Sequence, residues 1–215
     1  KHLVAIRRLA GKTRIDGAVL CSVVPGLNHI WKEGFGQVAG VDPITVTHEL
    51  ELGINITYPK PETIGADRLA NACEAAGRYG TPVVVADFGT ALTFDVIQPR
   101  KGYVGGIILP GLVFMTDYLA EKTALLPHIK LQGRFGRIGK STVEAMRIGA
   151  RVGYRGMVRE IVEHLRKEIG DFHFCATGGY AGLALRGFDM PCEIDPYLTL
   201  HGLKRIYDLN EYGDK

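Results

Sequence analysis

No stretch of this chain is apolar for long enough to cross a bilayer. The most apolar run, Gly105 to Met115, is broken by Pro110-Gly111, and a spanning helix needs about 20 apolar residues. No segment reads as a secretory signal. The four cysteines, Cys21, Cys73, Cys175 and Cys192, lie far apart with no CxxC spacing, so they read as reduced thiols of a cytoplasmic protein. The seven histidines form no HExxH or paired arrangement, which argues against a protein-ligated zinc. There is no block of lysine and arginine, and the net charge is only +3. Neither nucleic acid nor a membrane is an expected partner. Internal repeats and low-complexity tracts are missing as well. So is an initiating methionine: the chain enters at Lys1 on a mixed basic segment, KHLVAIRRLAGKTR, and a natural start upstream is expected.

What is present is the composition of a globular protein, 46% apolar and 23% charged. At 215 residues the chain has room for one domain or two small lobes with a real core. The most informative stretch is Val83 to Asp95, VVVADFGTALTFD. Its β-branched run reads as a buried strand, Gly89-Thr90 as a turn, and Ala91 to Val96 as a returning strand. Such a turn brings backbone N–H groups, the hydroxyls of Thr90 and Thr93, and the carboxylates of Asp87 and Asp95 towards one edge. Two readings stand side by side: an ordinary β-hairpin, or a donor-lined turn for phosphate with a carboxylate for its cation.

Around it, strands and helices alternate, which predicts the α/β class. Asp16 to Val24 reads as a strand, and Pro25 suits the first turn of a helix. Ile44–His48 and Ile54–Tyr58 are further strand candidates. In IGADRLANACEAAGRYG, the residues Ala66, Leu69, Ala70, Cys73 and Ala76 share one helical face. Asp67 and Arg68 fall in that helix's first turn, where an acidic side chain also compensates the dipole. Gly102 to Leu112 reads as a buried, glycine-dense strand, Met115 to Leu126 as a helix, and Pro127 to Gly139 as a basic loop. Ser141-Thr142-Val143-Glu144 is a capping-box pattern opening the longest helix. Gly149, Gly153 and Gly156 inside that helix imply a kink or a very close helix contact. Phe172 to Ala176 reads as a strand, Thr177-Gly178-Gly179 as its turn, and Tyr180 to Arg186 as the start of a helix.

GRFGRIGKS, from Gly133 to Ser141, imitates a phosphate-binding P-loop. The motif needs its first glycine at position 134, which is arginine.

The remaining motifs come in a fixed order. They are Ser22-Val23-Val24-Pro25, Tyr58, Gly65-Ala66-Asp67-Arg68, and Asp87-x-Gly89-Thr90-Ala91-x-Thr93-x-Asp95. After these come Gly105-Gly106, Pro110-Gly111-Leu112, Ser141-Thr142 and Thr177-Gly178-Gly179. From about residue 16 to residue 205 the chain resembles type III pantothenate kinase. The resemblance implies two ribonuclease-H-like lobes of the actin-like ATPase superfamily. The implied division is 1–81, with the pantothenate-binding helix, and 82–215, with the cation/ATP hairpin and the adenosine turn. The implied reaction is ATP-dependent phosphorylation of pantothenate to 4′-phosphopantothenate, the first step of coenzyme A biosynthesis. It implies ATP with Mg²⁺, a monovalent cation (K⁺ or NH₄⁺) and a homodimer.

Position by position, the resemblance makes Asp67 the general base and places Tyr58, Gly65, Ala66, Arg68 and Thr142 around the substrate. Asp87 matches the monovalent-cation ligand. Gly89 and Thr90 match ATP contacts, and Thr177, Gly178 and Gly179 the turn near adenosine. One departure stands out: the family's first phosphate loop, Asp-x-Gly-Asn-Thr, is not in the sequence, so the first lobe is expected to be incomplete at its N-terminus. Two alternatives remain at this point, a non-catalytic regulatory relative of the same fold and another phosphotransferase or polyphosphate phosphatase of the superfamily.

Overall fold

A computed structural model describes residues 4, 7, 8, 11, 13–133 and 136–211. Most of the basic opening segment, and Arg134 of the imitation P-loop, lie outside the described residues. The expected α/β class is found. The chain divides into two compact units: Lys1–Gly80 with Ile97–Val104 and Tyr197–Lys215, and Thr81–Val96 with Gly105–Pro196.

The first unit holds a two-stranded parallel sheet, β1 (Val19–Leu20) and β2 (Ile44–Thr45), with helix α1 (Pro25–Ala39) between them. The strands expected over Asp16 to Val24 and Ile44 to His48 shrink to these short pairings. Ile54 to Tyr58 keeps only a single parallel bridge, Ile56 to Tyr103. Apolar runs predict burial; they do not guarantee a partner strand for each residue.

Helix α2 (Ala66–Tyr79) forms as its periodicity predicts, burying Ala66, Leu69, Ala70, Ala72, Cys73 and Ala75. This alanine-rich face lets helix α7 (Leu198–Glu211), which the sequence reading did not identify, approach closely. A Cβ on Gly202 would lie 2.0 Å from the Ala70 carbonyl oxygen. The Thr199 hydroxyl donates to buried Asn71 Oδ1 at 2.7 Å, and Glu74 lies 3.0 Å from Arg78 and 3.8 Å from Arg205. Gly202→Ala is therefore expected to cost about 1–3 kcal/mol. A thermal melt should show this as a midpoint lowered by roughly 2–12 °C, and an unchanged midpoint would contradict so close a packing.

The second unit is built on a five-stranded sheet in the order β5-β4-β3-β6-β7. The strands are β3 (Val83–Phe88), β4 (Ala91–Gln98), β5 (Gly102–Pro110), β6 (His173–Thr177) and β7 (Glu193–Ile194). The outer ends of β4 and β5, residues 97–104, group with the first unit. Val83, Val84, Val85 and Ala86 are wholly buried, as the β-branched run predicts. β5 corrects its expectation: it is an edge strand, buried at its start but with Ile108 63% exposed. Asp95 lies within β4, in the returning strand as expected, and is fully buried, with its Oδ2 3.5 Å from the Thr93 hydroxyl.

Helix α3 (Leu112–Lys122) starts three residues before the predicted position, directly after Gly111. Ser141 caps helix α4 (Thr142–Ile148), accepting from the Glu144 N–H at 3.2 Å. The Glu144 carboxylate in turn accepts from the Lys140 N–H at 2.8 Å. A π turn, Gly149–Gly153, joins α4 to helix α5 (Tyr154–Ile169). It supplies the irregularity that the glycines implied. Among the described residues these glycines make no close contact within the chain: a Cβ on Gly149, Gly153 or Gly156 would meet nothing within 4 Å. Helix α6 (Ala181–Ala184) is a single turn after β6. Among the described residues no helix is long and apolar enough to cross a membrane.

Candidate active site

In the first unit the site begins at the N-terminus of α2. Gly65 holds the N-cap position with extended backbone and no side chain to cap the helix. Asp67 takes over that task from inside the first turn, its Oδ1 accepting from the Arg68 N–H at 2.9 Å. A Cβ on Gly65 would lie 2.5 Å from the same oxygen. The glycine thus leaves the space that the half-buried carboxylate occupies. Asp67 also bears on Cys21: burial, and then the nearby carboxylate charge, push the thiol up to about 11, so it stays protonated at neutral pH. A cavity of about 410 Å³ lies beside this helix start, lined by Ser22, Thr47, His48, Gly65 and Ala66 among others. Nothing in the sequence pattern marked Thr47 or His48.

Arg68 and Tyr58, ten positions apart in sequence, converge on the ring of Tyr103. The Arg68 guanidinium carbon lies 5.8 Å from that ring's centroid. Tyr58 meets the ring edge-on, at 6.1 Å and 86°. The main chain fixes Tyr103 from both sides: its N–H donates to the Asn55 carbonyl at 2.8 Å, and its carbonyl accepts from Thr57 at 3.0 Å. Gly102, at φ +71, admits this contact because a Cβ there would lie 1.8 Å from the Asn55 oxygen. Tyr103 escaped the sequence reading because its importance rests on who touches it, which no local spacing encodes.

In the second unit, parallel register sets Asp87 beside Thr177 at the carboxyl ends of β3 and β6. Crevices outside the carboxyl ends of parallel strands are where open α/β sheets bind ligands. Three turns meet there. The hairpin turn carries Gly89 and the exposed Thr90, whose carbonyl accepts from the Gly111 N–H at 3.0 Å. A Cβ on Gly111 would lie 2.2 Å from that carbonyl oxygen. In the third turn Gly178 has φ +92, and a Cβ on it would lie 2.5 Å from Asp87 Oδ1 and 2.6 Å from the Phe88 carbonyl carbon. The next residues are tied in by the Tyr180 N–H, which donates to the Phe88 carbonyl at 3.2 Å. Thr177 is buried, while Gly179 is exposed.

Asp87, Gly89, Thr90, Thr177, Gly178 and Gly179 are therefore neighbours around one sheet edge. Gly65, Ala66, Asp67 and Arg68 form one helix start in the other unit, and Arg68 shares the Tyr103 ring with Tyr58. Thr142 is the exposed first residue of α4, and no hydrogen bond joins its side chain to the three turns among the described residues. No group of three or more His, Cys, Asp or Glu side chains is placed to hold a metal among the described residues. Asp87 offers a cation one carboxylate, in a crowded turn that only glycine at 178 leaves room for.

Compared with known proteins, the model of the type III pantothenate kinase family matches residues 1–164. A type III pantothenate kinase from Akkermansia muciniphila is 46% identical over 219 residues, covering 98% of this chain and 89% of that protein. One from Methylacidiphilum infernorum is 43% identical over 206 residues, covering 94% of this chain and 74% of that protein. Among solved structures, the conserved putative Baf family transcriptional activator from Campylobacter jejuni is similar at a TM-score of 0.62 and 20% identity, covering 95% of this chain and 88% of that one. The ethanolamine utilization protein EutJ from Carboxydothermus hydrogenoformans is similar at a TM-score of 0.52 and 18% identity, covering 94% and 70%. These two structural likenesses bear on the fold alone.

Proposed function

The chain belongs to the type III pantothenate kinase family, and from that we infer that it transfers the γ-phosphoryl group of ATP to pantothenate, giving 4′-phosphopantothenate and ADP, the entry to coenzyme A biosynthesis. The observation that carries this reading is the 46% identity across nearly the whole chain. The two glycine-rich clusters above are chemically suited to the reaction, because phosphoryl transfer depends chiefly on positioning and charge stabilisation.

In the proposed mechanism the Asp67 carboxylate takes the proton from the pantothenate hydroxyl. The freed oxygen attacks the γ-phosphorus, the bond to the bridging oxygen breaks, and ADP leaves. A helix first turn suits a general base, since the α2 backbone holds the carboxylate in place through the Arg68 N–H. Arg68 pairs with an anionic group of the substrate through its planar donors, with Tyr58, Gly65 and Ala66 shaping the substrate's surroundings; Thr142 is a further proposed substrate contact. Gly89 and Thr90 face the phosphate tail of ATP, and Thr177, Gly178 and Gly179 its adenosine. Asp87 would hold a monovalent cation, K⁺ or NH₄⁺, which would supply positive charge to offset that of the phosphates. Mg²⁺ arrives with ATP.

The working form is a homodimer in the cytoplasm. An apolar surface on the second unit supports the dimer: Phe114 and Tyr118, each more than half exposed, stack with ring centroids 6.4 Å apart, and monomers rarely leave large apolar patches exposed. Free thiols at all four cysteines suit a reducing compartment.

The test is direct. Purified protein given Mg-ATP and pantothenate should release ADP one-for-one with 4′-phosphopantothenate, and replacing K⁺ or NH₄⁺ by Na⁺ should lower the rate. No phosphorylated product with any cation would overturn the reading.

A further inference from the structure

We propose that Tyr103 is a positioning residue of the substrate site, its buried ring setting the Arg68 guanidinium and the Tyr58 ring in the poses that receive pantothenate. This inference rests on the function proposed above. Tyr103 is 1% exposed, so it acts only through what it touches. It touches both partners in the geometries that aromatic rings favour. The Arg68 guanidinium carbon stands 5.8 Å from its centroid, within the range of a cation over an aromatic face. The Tyr58 ring meets its edge at 86°, the T-shaped arrangement. A guanidinium held over a ring face is restrained there, and its planar fork suits two-point pairing with an anionic group.

The ring itself has little freedom. Main-chain bonds to Asn55 and Thr57 fix the backbone on either side of it, and Gly102 brings that backbone against Asn55 more closely than any side chain allows. Tyr58 follows Thr57 directly, so the segment that anchors Tyr103 also carries Tyr58. One short stretch of paired main chain therefore sets the positions of Tyr58, Tyr103 and, through the ring face, Arg68. An arginine side chain loses considerable rotamer freedom when a bound substrate fixes it. The ring removes part of that loss beforehand, which makes its effect one on binding rather than on the chemical step.

The experiment measures KM and kcat of the full chain for Tyr103→Leu, Tyr103→Phe, Arg68→Ala and the Tyr103→Leu/Arg68→Ala double variant, with thermal melts as a check on folding. Tyr103→Leu should raise KM for pantothenate roughly tenfold, with kcat within about twofold and KM for ATP unmoved. Tyr103→Phe keeps face and edge and should restore the wild-type KM. In the Arg68→Ala background, Tyr103→Leu should raise KM by less than it does alone, since the part carried by Arg68 is already gone and only the part carried by Tyr58 remains. An active Tyr103→Leu with an unmoved KM, or effects that simply multiply in the double variant, would overturn the inference alone. So would equal losses in KM for both substrates, or a Phe variant as impaired as the Leu variant, because either would point to general damage. A wild-type protein that leaves pantothenate untouched would overturn the proposed function and this inference together.

Discussion

Asp67→Asn is expected to lower kcat by about 10²- to 10⁴-fold, the usual size of a general-base contribution, while leaving the protein folded. The amide keeps an oxygen at the place where Asp67 Oδ1 now accepts from the Arg68 N–H, so the first turn of α2 remains capped. What it loses is basicity, together with a charge worth about 0.3–1 kcal/mol at a helix N-terminus. That stability change is small beside the effect on turnover. KM for pantothenate should move far less than kcat, because the proton leaves during the chemical step. Steady-state kinetics with a thermal melt on the same preparation separates these effects. Full activity in the Asn variant would remove Asp67 from the base role, and a collapsed melt would show the carboxylate to be structural.

The second large effect is expected from Gly178→Ala. Alanine at φ +92 is strained, and its Cβ would lie 2.5 Å from Asp87 Oδ1 and 2.6 Å from the Phe88 carbonyl carbon. The Phe88 main chain belongs to a central strand and cannot retreat, so Asp87 or the turn itself must move. The expected cost is about 1–3 kcal/mol of stability, with KM for ATP raised at least about tenfold and activation by K⁺ or NH₄⁺ weakened. Gly182→Ala is the control, since a Cβ there meets nothing within 4 Å. A Gly178→Ala enzyme with wild-type ATP and cation responses would separate this turn from the nucleotide site. If Gly182→Ala were equally impaired, the steric explanation would fail.

Much of the candidate site could be read from local pattern. The helix carrying Asp67 and Arg68 follows from apolar spacing, and its start agrees with the structure to within one residue. The hairpin at Asp87 follows from a β-branched run, a Gly-Thr turn and alternation beyond it. Ser141 was legible as a cap because capping involves residues three apart. Other features were not legible. Val19–Leu20 pairs only briefly because strand length depends on a partner elsewhere in the chain. α7 escaped notice even though Leu198 and Ile206 are buried completely. Its seat on the alanine face of α2 became visible only once both helices were in place.

The sequence by itself determined several of the local elements and, through the family resemblance, which residues are proposed for the chemistry. Periodicity, turn residues and caps act over a few neighbours, and there the local free energy already favours one conformation. The tertiary structure alone decided which of those residues meet. Asp87 stands beside Thr177, far along the chain, through main-chain bonds between parallel strands, and such bonds are indifferent to side-chain identity. Tyr58 and Arg68 share the ring of Tyr103 because one glycine allowed two backbones to approach. Long-range contacts of this kind depend on how the whole chain closes on itself, and no window of sequence contains that information.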